Sequence, residues 1–133
     1  LNCLKAQQFE SKSIVGKWLS GNGKAHITIS QYGEKFGGKI SWLKEPLDEN
    51  GKPKTDPKNP DPSKRNNPRL GMNLALGFTY EGDGKYENGT IYDPESGKTY
   101  KCIMHLENEN TLKVRGYIGF SLIGRTDTWT RMK

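Results

Sequence analysis

The chain has 133 residues, of which 32% are hydrophobic, and its 21 lysines and arginines against 15 aspartates and glutamates give a formal net charge of +6. That length is sufficient for one hydrophobic core, and no segment approaches the roughly 20 consecutive apolar residues of a membrane-spanning helix. The basic residues are dispersed among acidic ones without any run of three, which argues against a nucleic-acid-binding surface. We therefore expect a single soluble domain without a transmembrane segment.

Alternation of apolar and polar residues predicts an all-β protein. In the segment AHITISQY (25–32), Ala25, Ile27 and Ile29 share one face. Turn sequences such as DPESGK (93–98) separate the hydrophobic segments. The predicted strands, in chain order, are 14–20, 25–32, 36–43, 70–78, 85–92, 99–106, 111–118 and 122–132. Mostly short connections favour an up-and-down antiparallel meander.

Several glycines lie inside these predicted strands, which indicates bulges and bends where a sheet curls on itself. Closure of the sheet would also remove its exposed edge strands. We therefore predict an eight-stranded antiparallel up-and-down barrel over residues 14–133, preceded by an N-terminal tail over residues 1–13. The expected inward-facing residues are Ile27, Ile29, Phe36, Ile40, Trp42, Leu74, Leu76, Tyr100, Cys102, Met104, Leu106, Leu112 and Val114.

The two ends of the chain carry a candidate closure for the barrel. The first and last strands of a closed barrel are neighbours, so Gly16 and Trp18 are expected beside Trp129 and Arg131. Arg131 could stack on the Trp18 ring as a cation–π contact. A Gly-x-Trp near the start together with a late arginine resembles the lipocalin-type barrels of the calycin group. We assign these four residues a structural role.

Residues 44–69 form a long irregular segment that holds six of the seven prolines. Connections of this length in a compact domain are usually functional or mobile, and prolines lower the entropy that is lost on ordering. Two interpretations stay open. The segment is either a rigid flap across one barrel mouth, with Arg65 and Arg69 anchoring it or facing a ligand, or a corner crossover whose prolines and asparagines satisfy backbone geometry.

One face of the last predicted strand is unusual, because it carries in succession Arg125, Asp127 and the two closure residues Trp129 and Arg131. It is either an outward face whose arginines pack along Trp129 and pair with Asp127, or an internal cluster in which Arg125 binds a carboxylate or phosphate. An eight-stranded barrel can hold one small ligand or fill with side chains. The candidate ligand-binding residues are Phe36, Trp42, Arg65, Arg69, Tyr100, Met104 and Arg125.

Catalytic and metal-binding motifs are not found in the sequence. His26, His105 and Cys102 lack the close spacing of zinc ligands, and the residues around Ser121 do not form a nucleophile elbow. We predict no catalytic residues, no metal and no cofactor. An enzyme that uses the Arg125/Asp127 cluster or Asp56 is the less favoured alternative.

The segments IVGKW, GGKISWL, DPKNPDPSKRNNPRLG, NGTIYDPESGKTYKC and LKVRGYIGFSLIGRTDTWTR extend over residues 14–131. In their order and content they resemble the bacterial family catalogued as domain of unknown function 2147. The resemblance implies a small exported bacterial protein with a lipocalin-like β-barrel, and it implies no activity.

The opening LNCLKAQ is similar to the end of a secretory signal, with Ala6 at the cleavage site; a remnant of an expression vector is the alternative. We predict a secreted or periplasmic, non-catalytic barrel that binds a small, partly apolar or anionic ligand, as a monomer or weak dimer and without nucleic acid. The alternative is an envelope or surface module that contacts another protein through the loop 44–69.

Overall fold

Each strand is hydrogen-bonded to the next strand in sequence, and the last strand pairs with the first, so that the sheet closes into a barrel. The strands are β1 (Gly16–Leu19), β2 (Ala25–Tyr32), β3 (Lys35–Leu43), β4 (Asn73–Tyr80), β5 (Lys85–Asp93), β6 (Lys98–Asn108), β7 (Thr111–Tyr117) and β8 (Gly124–Arg131). One 3-10 helix, Ser11–Ile14, precedes β1, and a second, Pro62–Lys64, lies in the β3–β4 loop. The predicted eight-stranded antiparallel barrel is confirmed.

The structure is a computed structural model that describes residues 9–117 and 124–133. The predictions for Ala6 and Ser121, and the parts of the two last predicted strands that fall within 118–123, lie outside the described residues. Within those two ranges, no helix is long and apolar enough to cross a lipid bilayer.

The N-terminal segment crosses one end of the barrel. The Tyr80 hydroxyl donates a hydrogen bond to the Phe9 carbonyl at 2.6 Å, and the Tyr86 hydroxyl donates to the Ser11 carbonyl at 2.6 Å. Ile14, which ends the first 3-10 helix, is 1% exposed and belongs to the hydrophobic core. Because these contacts reach the strand ends around the β4–β5 turn, the segment closes this end, and the opposite end carries the long β3–β4 loop.

The predicted inward orientation of Trp42 is wrong. Ile40 pairs with Ile27, and Trp42 pairs with His26, the residue immediately before Ile27. Two steps along β3 thus correspond to one step along β2, so β3 contains one extra residue, Ser41. A bulge of this kind reverses which face the following side chains occupy. Trp42 is therefore 39% exposed and stacks on the outward-facing His26 ring, with 4.3 Å between ring centroids.

The same kind of error affects β4, where Leu76 was expected inside. Gly77 has a left-handed φ of 78°, a conformation that glycine adopts without the usual steric penalty. The resulting irregularity shifts the alternation, so that Ala75 and Phe78 are each 1% exposed while Leu76 is 49% exposed. The remaining expected inward residues are buried or half-buried.

Candidate ligand cavity at the open end of the barrel

At the closed end, the Arg131 guanidinium lies over the Trp18 ring, with its central carbon 4.4 Å from the ring centroid. It donates hydrogen bonds to the carbonyls of Glu109 at 2.6 Å, Val15 at 3.0 Å and Ser13. One side chain thus links β8 to the 3-10 helix and to the β6–β7 turn. This places a single guanidinium at the junction of three chain segments.

Gly16 allows this approach. A Cβ atom at that position would lie 2.7 Å from Nη1 of Arg131, and the glycine φ of 141° is one that other residues rarely adopt. Trp129, which was assigned to the same cluster, is 3% exposed and lies in the wall of a cavity further along the barrel.

That cavity opens at the other end and has a volume of about 690 Å³, within the range of small-molecule sites. Its inner wall is apolar and comprises Ile27, Ile40, Leu74, Ile91, Val114 and Trp129. Below this wall, Phe36, Met104, Phe78 and Ile14 surround a second void that has no room for a water molecule. The barrel is therefore filled at its closed end and hollow at its open end.

The rim of the cavity carries equal numbers of acidic and basic side chains: Lys24, Glu45, Lys54, Arg69, Asp93, Glu95, Arg125 and Asp127. Most of the acids are engaged by protein groups. Asp127 accepts hydrogen bonds from Trp129 Nε1 at 3.0 Å and from the Gly21 backbone at 3.2 Å. Asp93 accepts from the Glu95 backbone at 3.0 Å and from the Ser96 hydroxyl at 2.8 Å.

The β3–β4 loop is attached to β5 through a buried carboxylate. Asp56 is 1% exposed, and it accepts hydrogen bonds from the Tyr92 hydroxyl and from Asn59 Nδ2, both at 2.8 Å. Burial, followed by this hydrogen bond to Asp56, raises the pKa of Tyr92 to about 12. The carboxylate thus holds the middle of the loop against the barrel, and it is not part of the cavity wall.

A second attachment joins the loop to the β5–β6 turn. Arg69 Nη1 lies 3.0 Å from Glu95 Oε1, and Lys58 Nζ donates to the Glu95 carbonyl at 2.8 Å. Gly97 faces the Lys58 carbonyl so closely that a Cβ would lie 2.0 Å from its oxygen, and its φ of 74° is left-handed. Since Glu45, Lys54 and Arg69 all line the cavity, the loop forms part of the rim.

The structure brings together only some of the predicted ligand-binding residues. Tyr100, Arg69 and Arg125 line the cavity. Phe36 and Met104 are buried below it, each 2% exposed, and do not line it. Arg65 is exposed and donates through Nε to the Asn59 carbonyl at 2.8 Å, within the loop, and Trp42 lies on the outer surface.

Two features of the cavity wall escaped the sequence analysis. Trp129 was assigned to barrel closure, although its common phase with Arg125 and Asp127 could have placed it on the same inner face. Gly116 was not assigned to the site, yet it lines the cavity opposite Arg125 on β8. Nothing in the local sequence distinguishes it from a glycine at a bend.

Cysteine, histidine and acidic residues do not form a metal site in the part of the chain that the structure describes: no group of three or more has the arrangement to hold an ion. Cys102 is a buried free thiol, and its burial raises its pKa to about 12. Such a thiol carries almost no reactive thiolate at neutral pH.

The closed eight-stranded antiparallel barrel is a lipocalin-like fold. The chain superposes on the solved structure described as "Protein HP1028 from the human pathogen Helicobacter pylori belongs to the lipocalin family" with a TM-score of 0.79. The match covers 90% of this chain and 83% of the other at 22% sequence identity, so the likeness concerns the fold.

The particular family follows from the sequence match. The model of the family described as "Uncharacterized protein conserved in bacteria (DUF2147)" matches residues 16–131, and the chain belongs to this family. The resemblance drawn from the sequence motifs is thereby confirmed. No curated protein matches the chain.

Proposed function

We propose that this protein is a non-catalytic binding protein that holds a small, partly apolar or anionic ligand in its open cavity. The observation that carries the proposal is the cavity of about 690 Å³ with an apolar inner wall and a charged rim. Sites for small molecules combine such apolar walls with a few placed polar groups. A barrel filled along its whole length would instead have favoured a protein-contact role for the loop 44–69.

The two carboxylates considered for catalysis, Asp127 and Asp56, support a binding role over an enzymatic one. Asp127 already accepts hydrogen bonds from Trp129 and Gly21, and a third from the Thr128 backbone at 3.0 Å. Asp56 is enclosed by the loop and bonded on both oxygens. A general base must reach the proton that it abstracts, and neither carboxylate offers a free oxygen toward a ligand.

The proposal also includes export to the periplasm or the medium. Its support is the apolar N-terminal stretch that ends at Ala6 and the likeness of that stretch to a secretory signal. A neutral or anionic amphiphile that crosses an aqueous compartment requires a carrier that shields its apolar part, because exposing that part to water is unfavourable.

The test is titration with the uncharged dye Nile red, whose fluorescence rises in apolar surroundings. Gly116 is the position to block: a Cβ there would meet Ile91 Cγ2 and Tyr100 Cβ at 3.5 Å, and the backbone is not left-handed. Gly116→Leu must therefore extend into the cavity without backbone strain. The matched control is Thr99→Leu, which adds the same side chain at an exposed position outside the barrel.

We expect saturable dye binding by the wild type and by Thr99→Leu, and at least about a tenfold loss of affinity in Gly116→Leu, since a filled cavity excludes the dye. Equal binding by all three proteins would show that the dye binds the surface and would contradict the proposal. Circular dichroism would verify that both variants are folded.

A further inference from the structure

The geometry points to Arg125 as the residue that binds the acidic group of the ligand. The ligand is then a monoanionic amphiphile, such as a medium-chain carboxylate, with its acidic group at the rim and its apolar end against Trp129. This inference rests on the proposed function and specifies the chemical class and the orientation of what the cavity holds.

The first argument is the distribution of charge at the rim. Three of its four acids, Asp93, Glu95 and Asp127, are engaged as described above. Of its four basic residues, only Arg69 takes part in an ion pair among the residues that the structure describes. Hydrogen bonds from neutral donors leave the charges of Asp93 and Asp127 in place, so the rim as a whole is neutral. Because the oxygens of these two carboxylates already accept hydrogen bonds within the protein, the charged groups still available to a ligand are mainly the basic ones, Lys24, Lys54 and Arg125.

Arg69 is the rival guanidinium, and its surroundings argue against it. Its Nη1 is paired with Glu95, and its Nε is buried without a hydrogen-bond partner in the described part of the chain. Because that Nε is buried, a ligand oxygen cannot reach it in the present arrangement of the loop. Arg69 therefore serves to hold the loop, and the acidic group of the ligand requires another partner.

Arg125 differs from the two lysines in its support and in its chemistry. It lies in strand β8, whereas Lys24 and Lys54 lie in connections. Its cross-strand neighbour on β7 is Gly116, which has no side chain to cover it. A guanidinium also presents two parallel donors that match both oxygens of a carboxylate, whereas an ammonium acts as a point charge.

The spacing along β8 sets the orientation of the ligand. Arg125 and Trp129 are on the same face and four residues apart, which corresponds to roughly 13 Å along an extended strand. Asp127 lies between them on the same face, with both of its oxygens already hydrogen-bonded within the protein, and Val114 on the neighbouring strand β7 and Ile91 on β5 supply the apolar wall. A ligand whose acid contacts Arg125 thus has its apolar part directed down the barrel toward the Trp129 ring.

The experiment compares two ligands of equal length, octanoate and octan-1-ol, by displacement of Nile red. Because the dye is uncharged, its own affinity should depend little on the charge at position 125, and direct titration of each variant gives the dye affinity from which the displacement data are analysed. The proteins are wild type, Arg125→Gln, Arg125→Lys, Lys54→Gln and Lys101→Gln, the last being an exposed lysine on the outer face of β6.

We expect the wild type and Lys101→Gln to prefer octanoate, and Arg125→Gln to lose about tenfold to hundredfold of that preference while it keeps its affinity for octan-1-ol. That range is what one charge-assisted hydrogen-bonded pair provides. Arg125→Lys should restore only part of the preference, and added salt should weaken it in the wild type.

An undiminished preference in Arg125→Gln, or a loss that appears in Lys54→Gln instead, would overturn the assignment of Arg125. Binding of octan-1-ol without any preference for octanoate in the wild type would overturn the anionic class while supporting a binding cavity. Failure of both ligands and of the dye to bind would refute the proposed function itself.

Discussion

Replacement of Arg131 by methionine should destabilise the barrel by about 4 kcal/mol. Methionine preserves much of the aliphatic bulk but removes the donors that serve the carbonyls of Ser13, Val15 and Glu109. At roughly 1 kcal/mol for each of three partly exposed hydrogen bonds, with about 1 kcal/mol more for the contact with Trp18, the sum is near 4 kcal/mol. This is a large part of the stability of a typical domain.

Urea-induced unfolding, followed by circular dichroism and tryptophan fluorescence, measures this loss. With a slope of about 2 kcal/mol per molar urea, the midpoint should fall by roughly 2 M. Arg131→Lys keeps the charge but has one donor group for three carbonyls, so we expect about half of the loss.

Arg125→Met is the matched control, because it changes an arginine on the same strand and face that has no ion pair among the described residues. Its effect should stay within about 0.5 kcal/mol. A loss below about 1 kcal/mol in Arg131→Met, or equal losses in the two variants, would refute the view that this guanidinium closes the barrel.

Two further predictions concern other buried groups. Tyr92→Phe leaves one oxygen of the Asp56 carboxylate without its donor. We therefore expect trypsin to cleave the β3–β4 loop several-fold faster, while the unfolding midpoint of the barrel stays nearly unchanged. Equal cleavage rates in the variant and the wild type would contradict the attachment of the loop through Asp56. Burial raises the folded-state pKa of Tyr86 from 10.0 and that of Cys102 from 9.0, each to about 12. The unfolded chain releases these protons first, so the contribution of these two groups to the free energy of unfolding should be constant from neutral pH to about pH 9 and fall toward pH 12, each group adding about 1.4 kcal/mol per pH unit to the slope. Urea unfolding across this range should give a shallower slope for Tyr86→Phe, and an unchanged slope would show that Tyr86 does not titrate in this way.

The sequence by itself determined the architecture of this protein. Alternating segments such as 25–32 and the short turns between them were sufficient for eight antiparallel strands. The pairing of Trp18 with Arg131 followed from closure, because the first and last strands of a barrel must be neighbours. These features depend on local periodicity and on a topological rule, both of which can be derived from the order of the residues.

Only the tertiary structure decided which face each side chain occupies beyond an irregularity. One extra residue at Ser41 turned Trp42 outward, and the left-handed Gly77 turned Leu76 outward, because a period of two loses its phase whenever one residue is inserted. The local sequence around Ser41 does not signal the insertion, and Gly77 indicates a bend without showing which side chains it turns outward.

The cavity and its rim were likewise decided by packing in three dimensions. Whether inward-facing side chains fill a barrel depends on the space between opposite walls, which no single strand specifies. The structure fills the closed end with residues such as Phe36 and leaves the open end hollow above Trp129. The pairing of Arg69 with Glu95 joins residues far apart in the chain. Such contacts exist only when the loop is docked on the barrel. Only the fold, therefore, shows that Arg69 is paired and that Arg125 is the cavity-lining arginine proposed to bind a ligand.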